Sequence, residues 1–289
     1  MRTEEFKNYL EEIERLKPST VYDNVKNIER FGVWATEQNF ADITHINYTE
    51  LLMYVQKLKS KPLSTATINI RLNSIRKYYE YLKHIDLIDI NPAKKIILKG
   101  TVKKIIHNPL TYTELEALYN EYAKPKEYIT PRHKAIHERN IIIVGLMIWQ
   151  AVHAGELNKI EIEHVNLNEG RIYIPRTNRS NSRELKLESK QIITLHKYIT
   201  ETKFESAKLF PCHPHNTVQY ILGELKGINQ SVKNAAYIRA SVILHWLRMY
   251  DKRTVQYMLG HKWIGSTENY EVQELTGLTD HLKQHHPFS

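Results

Sequence analysis

The chain of 289 residues is long enough for two domains, and its hydrophobic content of 42% is that of a globular protein rather than a disordered one. Forty-one lysines and arginines against thirty-two acidic residues give a net charge of +9, which suits a polyanionic partner without requiring one. Cys212 is the only cysteine, which excludes an internal disulfide and a cysteine-rich zinc site and favours a reducing compartment such as the cytoplasm. No signal-peptide-like run opens the sequence and no stretch is apolar for long enough to span a membrane, so no membrane partner is expected.

Residues 1–95 have the periodicity of a small α-helical bundle. Apolar residues recur at helical spacing in four segments, 3–17, 20–38, 48–60 and 64–84. The inward face of the second segment is expected to carry Tyr22, Val25, Ile28, Phe31 and Trp34.

The start of the fourth segment combines helix-capping side chains with basic ones. Ser64 suits the N-cap, and Arg71 and Arg76 follow in the same helix. Helix N-termini and arginine side chains bind phosphate well, so Arg71 and Arg76 are candidate DNA contacts. The same residues also fit the solvated side of an amphipathic helix, and the sequence alone leaves both interpretations open.

A basic linker is expected over residues 96–110, before a second domain at 111–289. Lys103 and Lys104 lie in this linker, where they are suited either to cross a DNA backbone in a salt-dependent way or to stay solvated. In the second domain the periodicity predicts helices over 132–149, 190–200, 217–225, 235–250 and 253–259. Alternating segments at 171–174 and 183–187 predict a β-hairpin, so the fold class is mainly α with a small antiparallel sheet.

The most specific pattern lies near the end of the chain, over residues 254–270. It reads Thr-Val-Gln-Tyr-Met-Leu-Gly-His, then a loop with Ser-Thr, and a tyrosine nine residues after the histidine. The apolar spacing predicts a short helix that ends at Gly260, and Ser266-Thr267 predicts the start of the next helix. On periodicity alone, a helix-capping His261 and a half-buried Tyr270 explain the stretch without any chemistry.

The whole motif resembles the C-terminal signature of the tyrosine recombinase (phage integrase) family. This resemblance implies an α-helical, SAM-like core-binding domain at 1–95 and an α+β catalytic domain at 111–289, together forming a C-shaped DNA clamp. It implies site-specific strand exchange through a 3′-phosphotyrosine, with no metal or nucleotide cofactor. It also implies a homo-oligomer, a tetramer on two double-stranded DNA sites, and leaves an accessory protein open.

The family's catalytic groups are an arginine, a hairpin lysine, a His-x-x-Arg pair, the Leu-Gly-His histidine and the tyrosine. Matched to this chain, Tyr270 falls on the nucleophile, His261 on the Leu-Gly-His histidine and Arg239 on the second arginine. Arginine suits a phosphate because its planar fork makes two charge-assisted hydrogen bonds and stays protonated.

Three catalytic positions depart from the family pattern. The first arginine, expected in Gly-Leu-Arg-x-x-Glu-Leu, is replaced by His153 within residues 151–157. Asn178 stands at the hairpin lysine, and Ala236 at the histidine of His-x-x-Arg. Losing one transition-state contact typically costs about two to three orders of magnitude in rate, so full activity is not assumed.

Other cations are candidates to compensate for these losses. His153 supplies part of the missing charge if it is protonated beside a phosphate, although without the bidentate geometry of arginine. Arg176 and Arg179 are candidates to reach the scissile phosphate from the hairpin, but their high pKa makes them poor acids.

Two interpretations follow within the family. The first is a slow or partner-dependent recombinase, which is favoured because Tyr270, His261 and Arg239 are kept together. The second is a catalytically impaired DNA-binding protein with an architectural or regulatory role. A third interpretation, outside the family's function, is that Arg239 and Tyr270 are structural and the chain binds something other than DNA.

Two further segments have alternative explanations. Residues 212–215, Cys-His-Pro-His, resemble metal ligands but lack a fourth group, so a surface loop is expected and no metal is assigned. Residues 271–282 have the apolar spacing of a short helix, which fits an interface with a neighbouring protomer or packing within the same chain.

Overall fold

The computed structural model describes residues 2–40, 42–100, 108–128 and 130–271. The chain divides into two units, Met1–Lys103 and Lys104–Ser289. Within the described ranges, no helix combines the length and the apolar character needed to cross a membrane. Lys103, Lys104 and residues 272–282, for which roles were predicted, lie outside the described residues.

The first unit is built from α-helices, as its periodicity predicts. These helices are α1 Thr3–Asn8, which continues as a π-helical turn over Tyr9–Ile13, α2 Pro18–Glu37, α3 Tyr48–Lys59 and α4 Thr65–His84. Their starts follow from local chemistry, since α2 has a proline in its first turn and Ser64 caps α4 by accepting from the backbone N–H of Thr67.

The core of the first unit lies between α2 and α4. Phe31 packs against Trp34, Tyr54 and Tyr79, and all four rings are buried. The prediction that Tyr22 faces inward is wrong, because its side chain is 62% exposed. Val21 occupies the buried stripe instead, and adjacent helix positions differ by about 100° around the axis.

The segment after α4 packs back onto that helix. Ala93 and Ile96 are buried in the core of the first unit, and the guanidinium of Arg76 donates to the carbonyl oxygen of Ile96 at 3.0 Å. Asn69 and Leu98 exchange two hydrogen bonds, each of 3.0 Å. The first unit therefore continues beyond residue 95, where the boundary was expected.

The second unit is a helical domain with one small sheet. Its helices are α5 Tyr112–Tyr122, α6 Pro131–Trp149, α7 Ala154–Leu157, α8 Ser189–Glu201, α9 Pro214–Ile228, α10 Ala235–Met249 and α11 Lys252–Leu259. A capping box of Thr111 and Glu114 opens α5. Helix α6 forms the centre of the core, because every residue from Ile141 to Trp149 is buried.

The sheet has three antiparallel strands in the order β1 Val165–Asn166, β2 Arg171–Ile174 and β3 Arg183–Lys186. Ile172 pairs with Leu185, and both side chains face the core, as the alternation predicts. The loop that joins β2 to β3 is the predicted hairpin turn. It leads from the sheet to the end of α11, where the candidate catalytic residues lie.

Candidate active site

Gly260 forms a tight turn at the end of α11. Its φ of +66° lies in the left-handed region that favours glycine, as the sequence predicts for a residue in this place. A side chain has no room there, because a Cβ would lie 2.6 Å from the carbonyl oxygen of Asn181 and 2.8 Å from Nη1 of Arg183. The turn therefore packs closely against the β2–β3 hairpin.

The hairpin is attached to this turn by backbone hydrogen bonding. The N–H of Asn181 donates to the carbonyl oxygen of Gly260 at 2.8 Å, and Ser180 pairs with His261 as an isolated antiparallel bridge. The position of His261 is consequently fixed by two elements, α11 and the hairpin.

The imidazole of His261 is bound to the next helix. Its Nδ1 lies 2.9 Å from Oγ1 of Thr267, which is fully buried. Burial, together with the positive charges of Arg239 and Arg183, lowers the pKa of His261 to about 4. At neutral pH the ring is therefore uncharged, with Nε2 left to meet a ligand.

Tyr270 lies on the helix that follows, which begins at residue 264 and continues to 271, the last described position. The prediction that Ser266-Thr267 starts this helix is wrong, because both residues lie inside it. The hydroxyl of Thr267 is hydrogen-bonded to His261 and does not cap the helix. The rings of Tyr270 and His261 are nearly parallel, at 14°, with centroids 6.3 Å apart. Lys252 of α11 holds the helix through ion pairs with Glu271 at 2.9 Å and Glu268 at 3.9 Å.

Arg239 projects from α10 into the same site. Its side chain is 14% exposed, and its guanidinium donates to the carbonyl oxygens of Ala151 and, at 3.1 Å, Leu259. Burial lowers the pKa of Arg239, and the nearby carboxylate of Glu156 partly offsets this effect. Because these hydrogen bonds occupy only part of the guanidinium's N–H groups, other N–H groups of Arg239 remain available to a ligand.

Below Arg239 lies a buried ion pair. Glu156 accepts two hydrogen bonds from Arg183, of 2.6 and 3.1 Å, and neither side chain is exposed. Burial by itself would raise the pKa of Glu156, but the hydrogen bonds and charge of Arg183 bring it down to about 2. Since Arg239 lies 3.9 Å from the same carboxylate, two positive charges share one negative charge.

Sequence reasoning missed the role of this pair. Arg183 occupies a strand position of the same parity as the buried Leu185, so it is a charged residue on an inward face, which signals a buried partner. Glu156 is the acidic residue of the matched Glu-Leu pattern. Their connection joins β3 to α7 and is not visible from local spacing.

His153 caps α7 rather than standing free. Its Nδ1 accepts from the N–H of Gly155 at 3.0 Å, and its Nε2 lies 3.7 Å from Glu156 Oε1. Burial lowers the pKa of His153 more than the charge of Glu156 raises it. Two residues earlier, Ala151 has a φ of +49°, the conformation for which the family pattern provides glycine.

The other two departures lie at the edge of the site. Asn178 is exposed in the hairpin loop, and its carbonyl oxygen accepts a hydrogen bond of 2.8 Å from Nζ of Lys262. Ala236 is exposed on the first turn of α10. Arg176 and Arg179 are exposed near the same loop, and the charge of Arg179 contributes to the lowered pKa of His153.

The predicted DNA contacts of the first unit lie in two environments. Arg71 is partly exposed and lines a cavity of about 310 Å³ together with Arg30, Lys57 and Lys61. Arg76, by contrast, hydrogen-bonds to Asn73 and to the packed segment at Ile96. A DNA contact at either arginine stays a prediction.

Metal-ligand geometry occurs at one place in the described parts of the chain. Glu161, Glu163 and His164 bring their ligand atoms within 4.8 Å of one another. This cluster was not predicted, and such acidic groups are common on protein surfaces without an ion. Cys212 and His213 precede α9, where His213 is the N-cap residue.

Comparison with protein families gives two matches that together cover most of the chain. Residues 3–85 match the model described as the phage integrase N-terminal SAM-like domain. Residues 108–274 match the model described as the phage integrase family.

Similar proteins align with nearly the whole chain. A tyrosine recombinase XerC of Lacticaseibacillus casei is 24% identical over 307 aligned positions, covering 98% of this chain and 97% of that protein. The XerC of Bacillus subtilis is 22% identical, with coverages of 98% and 95%.

Solved structures share the fold at low identity. The XerH recombinase bound to a palindromic difH substrate, in a post-cleavage complex, has a TM-score of 0.70 at 15% identity and covers 96% of this chain and 85% of its own. The Tn1549 transposon integrase in complex with a circular intermediate DNA has a TM-score of 0.67 at 14% identity, with coverages of 93% and 94%.

Proposed function

Because the chain belongs to the phage integrase family, we propose that it is a site-specific tyrosine recombinase that cuts and rejoins DNA through a phosphotyrosine at Tyr270. The observation that carries the proposal is the convergence of three residues from separate elements. The ring of Tyr270 faces that of His261, and Arg239 is hydrogen-bonded to Leu259, two residues before His261. The nucleophile, a phosphate-binding cation and a neutral imidazole thus share one site.

Each residue has a distinct task in the proposed reaction. Tyr270 attacks the phosphodiester and leaves a 3′-phosphotyrosine and a free 5′-hydroxyl. Arg239 binds the non-bridging oxygens, on which negative charge grows in the transition state. His261 contacts a phosphate oxygen through Nε2, with its other nitrogen occupied by Thr267. The new phosphotyrosine ester keeps the energy of the broken phosphodiester bond, so religation requires no nucleotide, and no metal is assigned to the site.

The electrostatics of the buried residues support phosphate binding. Arg183 and Arg239 carry two positive charges against the single negative charge of Glu156. A net positive charge in a largely desolvated place attracts an anion more strongly than the same charge on the surface. Glu156 therefore orients the arginines without cancelling them.

The three departures lead us to propose slow or partner-dependent catalysis. His153 has a lowered pKa, Asn178 cannot act as a cationic acid, and Ala236 makes no polar side-chain contact. Each lost contact costs about two to three orders of magnitude in rate, unless a neighbouring group or a partner replaces it.

A catalytically impaired DNA-binding protein is the alternative. The observation that favours it is the exposure of both Asn178 and Ala236, two matched catalytic positions that carry no ionisable side chain. Such a protein would hold DNA in an architectural or regulatory role.

For partners, we infer double-stranded DNA and a homo-oligomer, a tetramer on two DNA sites, with an accessory protein left open. The similar solved structures of XerH and of the Tn1549 integrase are DNA complexes. We infer that the protein acts in the cytoplasm, the compartment that holds the DNA.

Covalent trapping tests the proposal. The protein is incubated with nicked suicide DNA from the sequence that flanks its own gene, and products are separated on a denaturing gel. A shifted band that is lost in Tyr270→Phe establishes the nucleophile. Tyr257→Phe is the matched control, because Tyr257 is an exposed tyrosine whose hydroxyl accepts from the N–H of Glu184. Salt-sensitive binding without any band supports the impaired alternative.

A further inference from the structure

We propose that Lys262 is the proton donor to the leaving 5′-oxygen, in place of the lysine that the hairpin lacks at position 178. This inference rests on the proposed recombinase function. Lys262 directly follows His261 in the chain, and its Nζ donates to the carbonyl oxygen of Asn178 at 2.8 Å. An ammonium is thus held at the very hairpin residue from which the family's lysine would extend.

The hairpin tip gives this ammonium a fixed partner. The N–H of Thr177 donates to the carbonyl oxygen of Ser180 at 2.9 Å, which closes the turn around Asn178. Ser180 in turn pairs with His261, the neighbour of Lys262. Both ends of the hydrogen bond are therefore attached to the same bridge between the hairpin and the catalytic turn.

An ammonium in this position retains the capacity to act on DNA. It has three N–H donors, and the carbonyl oxygen of Asn178 takes one of them. The side chain is only partly buried, so the remaining donors are accessible to a bound strand.

The other cations of the hairpin are unsuited to the task. Arg176 and Arg179 are exposed, and a guanidinium holds its proton too strongly to act as an acid. Lysine deprotonates far more readily and serves as an acid and base in many active sites. Among the described lysines, Lys262 is the one that hydrogen-bonds to the hairpin loop.

The step balances as follows. A bond forms between the phenolic oxygen of Tyr270 and phosphorus, and the bond from phosphorus to the 5′-oxygen breaks with its electron pair left on that oxygen. The 5′-oxygen takes a proton from Nζ of Lys262, and the phenolic proton passes to water. In religation the neutral amine of Lys262 takes the proton back from the attacking 5′-hydroxyl.

A sulfur substitution in the DNA tests this role. Replacing the bridging 5′-oxygen with sulfur creates a leaving thiolate, whose conjugate acid has a pKa of about 8.5, so it departs without a proton donor. Single-turnover rates of covalent attachment are measured on oxygen and sulfur suicide DNA for the wild type, Lys262→Ala and Lys262→Arg. Lys203→Ala, at an exposed position on the loop after α8, controls for the loss of one positive charge.

We expect Lys262→Ala and Lys262→Arg to slow attachment to the oxygen DNA by about 100-fold and to react with the sulfur DNA within a few-fold of the wild type. Equal slowing on both DNAs would mean that Lys262 only shapes the hairpin, and would overturn the inference. Wild-type rates for Lys262→Ala on the oxygen DNA would overturn it as well. If the wild type binds both DNAs but attaches to neither, the recombinase function itself fails, which separates that failure from a failure of Lys262 alone.

Discussion

At the scale of single residues, Glu156 sets the net charge of the candidate site. Its carboxylate is fully buried between Arg183, at 2.6 Å, and Arg239, at 3.9 Å. With its pKa lowered to about 2, it stays ionised throughout the physiological range. The site is consequently positive by one charge rather than two, and both guanidinium groups have fixed orientations.

Glu156→Gln should destabilise the protein by about 3 to 5 kcal/mol, because it leaves two buried guanidinium groups without a counter-charge. Urea denaturation followed by circular dichroism measures the change. Glu163→Gln is the control, since the Glu163 side chain is 79% exposed and its loss should be nearly neutral. Equal midpoints for the two variants would show that the carboxylate is dispensable.

His261 should make stability depend on pH. Its pKa is about 4 in the folded protein and 6.5 without the fold, so the unfolded chain binds more protons between these values. The stability that the neutral ring provides is complete above pH 6.5 and is lost progressively as pH falls toward 4. Unfolding free energies between pH 7 and 4 should fall more steeply for the wild type than for His261→Gln. Parallel pH profiles would contradict the lowered pKa.

The residues of the site were predictable to different degrees. Tyr270 and His261 are candidates because they match a motif with fixed spacing, and Arg239 because it matches the His-x-x-Arg pattern. The left-handed φ at Ala151 fits the register that places His153 at the first arginine. The contact between Glu156 and Arg183 joins residues 27 apart through the tertiary fold. Local spacing contains no information on such a contact.

At the scale of elements, hydrophobic periodicity predicts where helices lie but not every boundary or neighbour. The hairpin and helices α2, α3, α4 and α6 lie within a few residues of their predicted positions. The helix of Tyr270 starts at 264 rather than at Ser266-Thr267, because a threonine that resembles a cap is instead bound to His261. The packing of residues 91–98 on α4 depends on long-range hydrogen bonds that composition does not encode.

Two glycine substitutions should act in opposite directions. Gly260→Ala should destabilise the fold by about 1 to 3 kcal/mol, because the residue has a φ of +66° and its new Cβ would meet Asn181 at 2.6 Å. Gly223→Ala, in the middle of α9, meets nothing within 4 Å and should stabilise the fold by about 0.5 to 1 kcal/mol. Thermal denaturation of both variants checks the prediction, and a gain for Gly260→Ala would refute the description of the turn.

At the scale of the whole molecule, we predict from the net charge of +9 and the two family matches that both units contact DNA. Binding to a polyanion releases counterions, so the logarithm of the affinity should fall linearly with the logarithm of the salt concentration. The slope is proportional to the number of phosphate contacts. The difference in slope between the wild type and a variant that lacks one cation therefore measures the contribution of that cation, without knowledge of the target sequence.

Arg71→Gln should weaken DNA binding similarly for all sequences and reduce the salt slope by about 0.9, if Arg71 contacts one phosphate. Lys26→Gln is the control, because Lys26 lies on α2 outside the cavity that Arg71 lines and contacts Tyr22. Fluorescence anisotropy with labelled duplex across salt concentrations gives both slopes. The same slope for Arg71→Gln and the wild type would remove Arg71 from the interface.

The exposure of one aromatic ring makes the site observable without a label. Trp34, Trp149 and Trp246 are at most 9% exposed, whereas Trp263, immediately after Lys262, is 77% exposed. A collisional quencher such as iodide should therefore quench mainly the fluorescence of Trp263. Any strand that occupies the catalytic turn would shield this indole, so the intrinsic emission of the protein reports occupancy of the very surface at which strand cleavage is proposed.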